Sequence, residues 1–385
     1  GRAMIFTAQR VVSAAVLAMV LGLLSLVSGS GAERVSVFAQ SDCTVTVQPG
    51  ESIQKAIDGA SSGAVICLAA GMWEENIEIV KSLTLRGAGQ KQTKIIGREA
   101  YKAVIKIVGN TEIAVGIEKL TISDSYSIGI QARGETLVTI VESQLSHNSG
   151  PGIIIQDLSR AIISDSKISS NMTAGIWLWV SAPTQTTISN SQFSNNTWHG
   201  IWMIGSAQAT ISNSQFLDNG ISGIEISDNA QAVISDSHFI RNMVGIGIQD
   251  SAQAFISASR LFHNVINGVL VTDRAQAKIT SSLVEGNGIM DVCKEKGVLC
   301  NGITLRRQSQ LELSNSKVFN NTDWGIAAYL KKCSYDYDEF VGKVTIDEQT
   351  VIEGNSTSNN QKGMGNPGSH PWNRPEVPDG QVCLP

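Results

Sequence analysis

A glycine followed by isoleucine or valine recurs along this chain at Gly129, Gly152, Gly175, Gly200, Gly223, Gly245, Gly268, Gly302 and Gly325, at intervals of 23, 23, 25, 23, 22, 23, 34 and 23 residues. Such periodicity constrains a fold more than composition does, because each unit must bury its apolar side against its neighbours. Two polar columns keep step with the glycines. Asn148, Asn171, Asn196, Asn219, Asn264 and Asn321 stand four residues before them and Asn242 three before, while serines recur at 143, 166, 191, 214, 237, 259, 282 and 316. One unit reads A-x-A-x-I-S-x-S-x-F-x-x-N-x-x-x-G-I-x-I-x-D, as from Ala207 to Asp228.

A period near 23 is too short for two helices and their turns, and the apolar residues alternate, as Ile224 and Ile226 do around Glu225. Alternation is the mark of a strand. Three short strands and three turns per coil, stacked at the ~4.8 Å strand spacing, predict an all-β, single-stranded parallel solenoid of ~10–12 coils, roughly 50 Å long. The repeats are expected over residues 77–360, with the asparagines bonded into a ladder at one turn. Residues 40–76 form an N-terminal cap segment in which Ser52 opens a short helix carrying Ile53, Ala56 and Ile57 on the face that covers the first coil. The 34-residue interval implies a loop from Gly288 to Cys300, a second excursion spans Lys331 to Phe340, and residues 361–385 form a proline-rich, irregular tail.

With 42% hydrophobic and 16% charged residues, the chain has the composition of a packed protein. Residues 1–39 read as a secretory signal peptide: Arg2 and Arg10 precede an apolar run from Val11 to Val27, with a cut expected after Ala39. An uncleaved anchor is the alternative, although the run falls short of the ~20 residues of a membrane span. No span is expected once the leader is cut, and the protein is expected as a monomer, secreted or in the cell envelope. The formal net charge of −5, without clustered Lys and Arg, excludes a nucleic-acid footprint. Six cysteines in an exported chain favour disulfides. Proximity along the chain pairs Cys43 with Cys67, Cys293 with Cys300 and Cys333 with Cys383, among fifteen possible connectivities.

The segment Val47-Gln-Pro-Gly-Glu-Ser-Ile-Gln-Lys-Ala-Ile, followed by Ile66 to Ala70, Gly71, Trp73-Glu-Glu-Asn-Ile-Glu-Ile and Ser82-Leu-Thr-Leu-Arg-Gly-Ala-Gly, resembles the N-terminal part of pectin-lyase-like proteins. The repeats resemble the right-handed β-helix shared by carbohydrate-binding and sugar-hydrolase proteins and by NosD-type copper-maturation proteins. The resemblance covers Thr44 to Asn355 and implies a right-handed parallel β-helix. It implies little about activity, since the superfamily holds lyases, hydrolases, esterases, epimerases and proteins without known chemistry. The Asn-Thr-Asp and Gly-His-Gly of polygalacturonases, the Asp-Pro-His-Asp of alginate epimerases and the Trp-Ile-Asp-His of pectate lyases do not occur in this sequence. Gln156-Asp157 and Gln249-Asp250 match only the Gln-Asp of pectin esterases.

Two groups of residues are candidates for a site. Residues two and four after each glycine should point outward, and on three successive coils these are Ile154, then Trp177 with Trp179, then Trp202 with Ile204, beside Trp198 and His199. Exposed aromatic rings suit the apolar faces of sugars, so this face is a candidate polysaccharide platform. The bland reading is that a loop or the tail covers it. The second group is acidic. Glu225, Asp228, Asp250 and Asp273 lie on neighbouring coils, and the aspartates share one register. Stacked carboxylates could hold Ca²⁺, with Arg274 or Arg307 acting on a uronic-acid polymer as a lyase or hydrolase would. Asp-x-Ala-Gln-Ala equally suits an ordinary turn. His147, His199, His238, His263 and His370 lack metal-ligand spacing, and the sequons at Asn171, Asn195, Asn320 and Asn355 mostly fall on the ladder.

Overall fold

The computed structural model describes residues 42–296, 300–330, 339–355 and 381–384. The expected leader (residues 1–39), Cys333, most of the 331–340 excursion, His370 and most of the tail therefore lie outside the described residues. Among the described residues, no helix is long and apolar enough to cross a membrane. The unit Cys43–Pro385 is a parallel β-solenoid of about 12 turns. A typical coil contains Ile153–Asp157, Arg160–Ser164 and Lys167–Ser169. Each strand pairs in parallel with its equivalent one coil away, as Ile153 does with Ile176 and Ile168 with Phe193. The first and second sheets merge at one end, where Ile105–Glu118 and Ile130–Val141 run unbroken round the corner between them. The third sheet has 12 strands.

The alternation explains the core. Ile224 and Ile226 point inward and are fully buried, and one continuous apolar cluster runs from Val47 to Leu384. Phe193, Phe216 and Phe239 stack within it at centroid distances of 5.0 and 4.7 Å. The glycine column exists because stacked backbones approach closely there. A Cβ on Gly223 would lie 2.6 Å from the carbonyl oxygen of Gly245 and 2.8 Å from the Phe239 ring. Gly223→Ala is accordingly expected to lower the unfolding free energy by about 1–3 kcal/mol, the usual cost of overpacking, as read by the urea midpoint; an unchanged midpoint would mean the coils spread freely.

Each turn is held by its own ladder. Asn Nδ2 donates to the Oδ1 of the next asparagine from Asn148 through Asn171, Asn196, Asn219, Asn242, Asn264, Asn287, Asn321 and Asn355. Gln381 closes the series by accepting from Asn355 at 2.9 Å. Serines do the same at another turn: Ser166 Oγ accepts from Ser143 N and donates to the carbonyl of Ser164. Many turn residues with positive φ are Asn or Asp, the side chains that best tolerate that region.

Pairing begins earlier than residue 77, since Val45–Val47 pairs with Ala64–Leu68, which pairs with Leu83–Gly87. The segment expected as a separate cap is thus woven into the first coil. Helix α1 (Ile53–Gly59) opens at Ser52, whose side chain accepts from Lys55 N, and it buries Ile53 and Ile57. Glu75 fixes its start by accepting from Ser52 Oγ and from the amides of Ile53 and Gln54, a carboxylate placed where a helix favours negative charge. The long interval contains helix α2 (Met290–Lys296) and the disulfide Cys293–Cys300. Cys43–Cys67 is the second disulfide. Cys383 is also disulfide-bonded, and Val382–Cys383 adds a strand beside Ile326–Ala328, so the chain end returns to the sheet.

Candidate functional site

The first sheet aligns Ile154, Trp177, Trp202, Glu225, Gly247 and Leu270 in one outward column, and Gln156, Trp179 and Ile204 in a second. The expected tryptophan cluster therefore forms. Trp177 and Trp202 stack with centroids 4.7 Å apart and planes within 13°, so the faces they turn toward each other are occupied. Trp179 lies nearly parallel to Trp177 at 5.7 Å, and Trp198 meets Trp202 edge-on at 6.2 Å. The rings with open surface are Trp179, 52% exposed, and Trp198, 41% exposed. Trp177 and Trp202, half-buried, pack against them.

His199 departs from expectation. It is 6% exposed, its Nδ1 is buried without a hydrogen-bond partner among the described residues, and its ring lies 5.5 Å from that of Trp202. The reason is its register beside Ser222, at the entry of the strand. Burial lowers its pKa to about 4, so near neutral pH it is an uncharged packing group.

The acidic group divides in two. Asp228 Oδ2 accepts from Gly205 N at 2.8 Å, Asp250 Oδ2 from Asp228 N at 3.1 Å, and Asp273 Oδ2 from Asp250 N at 3.5 Å. All three have positive φ. Arg307 pairs with Asp273, and Arg274 donates to Ser251 Oγ. These carboxylates cap turns, the ordinary role of such an aspartate. Among the described residues, no three His, Cys, Asp or Glu side chains gather as a metal ion would require. Glu225 stands apart, in the tryptophan column next to Trp202. Burial chiefly, with the nearby charge of Asp250, raises its pKa to about 7 against the opposing hydrogen bond that Ser222 Oγ donates at 2.7 Å. Gly247 leaves room for it: a Cβ there would lie 2.1 Å from Glu225 Oε2.

The sequence pattern did not disclose the apolar edge beside this face. The turn following each ladder asparagine places Met172, Trp198 and Ile221 on successive coils, exposed by 60, 41 and 38%, and Ile289 farther along at 46%. The backbone bond from Ile221 N to Trp198 O aligns those two, whereas Trp198 N bonds to Thr173 O, which puts Met172 one residue out of their register at the same turn. The signal was present in the sequence: an apolar residue one or two places after the asparagine, on coil after coil.

Solved structures share the architecture. The A-module of mannuronan C-5 epimerase AlgE6 from Azotobacter vinelandii superposes with a TM-score of 0.62 at 16% identity, covering 78% of this chain and 91% of that one. A GH87 α-1,3-glucanase catalytic unit from Streptomyces thermodiastaticus gives 0.51 at 13% identity, covering 79% and 65%. Alginate lyase from Paenibacillus gives 0.50 at 13%, covering 80% and 100%. At these identities the likeness establishes the fold alone. No curated protein matches the sequence. The right-handed β-helix region family matches residues 105–185 and 174–338, more than half of the sequence, and the chain belongs to that family.

Proposed function

We propose that this is a secreted or envelope-exposed β-helix protein that binds polysaccharide along the face bearing Trp179 and Trp198. The carrying observation is the cluster of Trp177, Trp179 and Trp202 on the outward side of the first sheet with Trp198 at the adjoining turn, the rings of Trp179 and Trp198 being exposed. Continuity with the apolar turn edge favours an extended ligand over a single sugar, as does the placement of large exposed apolar surface on a rigid scaffold. The disulfides and the leader-like first 39 residues support an oxidising compartment. The solved relatives named above act on polysaccharides, which agrees with this reading. The double variant Trp179→Ala/Trp198→Ala is expected to weaken binding to the glycan it takes by at least about tenfold, the usual effect of removing aromatic anchors, with circular dichroism unchanged. Affinity electrophoresis over a broad glycan panel measures this, and retained affinity would remove the face from the assignment.

Glu225 favours a second reading, in which the bound polymer is cleaved. A carboxyl group titrating near neutrality beside a binding face is suited to proton transfer. New chain ends from a panel including pectate and alginate, with and without Ca²⁺, abolished by Glu225→Gln, would support a hydrolase or lyase. A panel left intact argues for a non-catalytic binding or structural rod.

A further inference from the structure

We propose that the polymer taken by this face is uncharged, a chain of neutral hexoses and not of uronates or sulfated sugars. The proposal rests on the polysaccharide-binding reading above and narrows it. From Ile154 to Leu270 the outward column carries aromatic, aliphatic and glycine residues, and its one titratable group is the carboxyl of Glu225. In the second column the nearest cation is Arg133, two coils before Trp179, and it already lies 4.0 Å from Asp157. Arg306, on the far side of Leu270, lies over the Tyr329 ring at 4.6 Å.

The two edges of the face agree. One edge carries the aspartate turns at 228, 250 and 273, whose cations are already engaged, Arg307 by Asp273 and Arg274 by Ser251. The other is the apolar run through Met172, Trp198 and Ile221, where the nearby Arg241 is bound at both ends of its guanidinium by Asp218. A polyuronate laid on this face would bring repeated carboxylates against apolar rings, with no cation in the first column between Ile154 and Leu270 and with the bordering Arg133, Arg274 and Arg307 already bonded to Asp157, Ser251 and Asp273. Anionic sugars are held by Arg and Lys pairing, often bidentate, and this surface offers none at its centre. Neutral sugars need only what is present: apolar faces for their C–H surfaces and a carboxyl group near neutrality for their hydroxyls. The net charge of −5 adds a long-range bias against polyanions.

The test is affinity electrophoresis and tryptophan fluorescence of the full chain and of Trp179→Ala/Trp198→Ala. The probes are soluble neutral glucans and mannans and, separately, polygalacturonate and alginate with and without Ca²⁺. Expected is tryptophan-dependent binding to at least one neutral polymer, with polyuronates weaker by at least about tenfold, the effect of an unpartnered charge at a binding surface. Tryptophan-dependent binding to a polyuronate of equal or greater strength would overturn the neutrality of the ligand while leaving the face as a glycan site. Absence of tryptophan-dependent binding across both groups would overturn the face itself, and with it this proposal.

Discussion

Asn219→Ala is expected to lower the unfolding free energy by about 3–5 kcal/mol, because it interrupts a buried polar chain in both directions. Asn219 Nδ2 donates to Asn242 Oδ1 at 2.8 Å and to the Phe193 carbonyl at 3.1 Å. Its Oδ1 accepts from the backbone and the side chain of Asn196. Alanine would leave two donors on Asn196 unmatched in a buried space and take one donor each from the Phe193 carbonyl and from Asn242 Oδ1, which keeps the backbone N–H of residue 219, and an unsatisfied buried group costs more than its bond contributed. Asn148→Ala, at the start of the series, removes fewer bonds and should cost markedly less. Urea denaturation of both variants measures the contrast. A loss below about 1 kcal/mol at Asn219 would show that the asparagines are bystanders to coil stacking.

The second large effect is a pair of opposed titrations. The folded state holds a proton on Glu225 up to about pH 7, so that group's contribution is complete below its unfolded value near 4.5 and is lost as pH rises through 7. His199, lowered to about 4, contributes fully above its unfolded value near 6.5, and its contribution is lost as pH falls toward 4. The two slopes have opposite signs across one window and offset each other in the intact protein, each reaching about 3 kcal/mol. Glu225→Gln should therefore gain on the parent protein as pH rises from 4.5 to 7. His199→Gln should gain on it as pH falls from 6.5 to 4. Stability difference curves from urea melts at pH 4 to 8 read both, and a flat curve for Glu225→Gln would mean that folding leaves the pKa of its carboxyl unchanged.

The fold was legible because one spacing governs both chain and space. Residues about 23 apart, such as Ser166 and Ser143, meet at 3.1 Å, and strand alternation alone puts Ile224 inside and Trp202 outside. Side-chain depth was not legible wherever the alternation stops. His199 sits at a strand entry, so period-two reasoning gave it no face, and contact with Trp202 buries it. The aspartate column shows a different limit. A ladder of turn caps and a row of metal ligands share one spacing, and only bond geometry separates them: each carboxylate accepts the amide of the coil before it. Met172, Trp198 and Ile221 were hidden because turn residues belong to no strand, and the alignment of Ile221 with Trp198 follows from a backbone bond between coils.

Near-identical layers raise a question of indexing during folding. A nascent coil docked one layer out of place would still satisfy an asparagine, a serine and an aspartate, so ladder bonding by itself discriminates weakly between registers. The irregular features supply the address. In the middle of the inward column aromatic filling falls on Phe193, Phe216 and Phe239, with Ile168 and Leu261 in the layers on either side, and the interval closed by Cys293 and Cys300 marks one level. A chain with those landmarks erased would keep its bonding pattern and lose count of its layers.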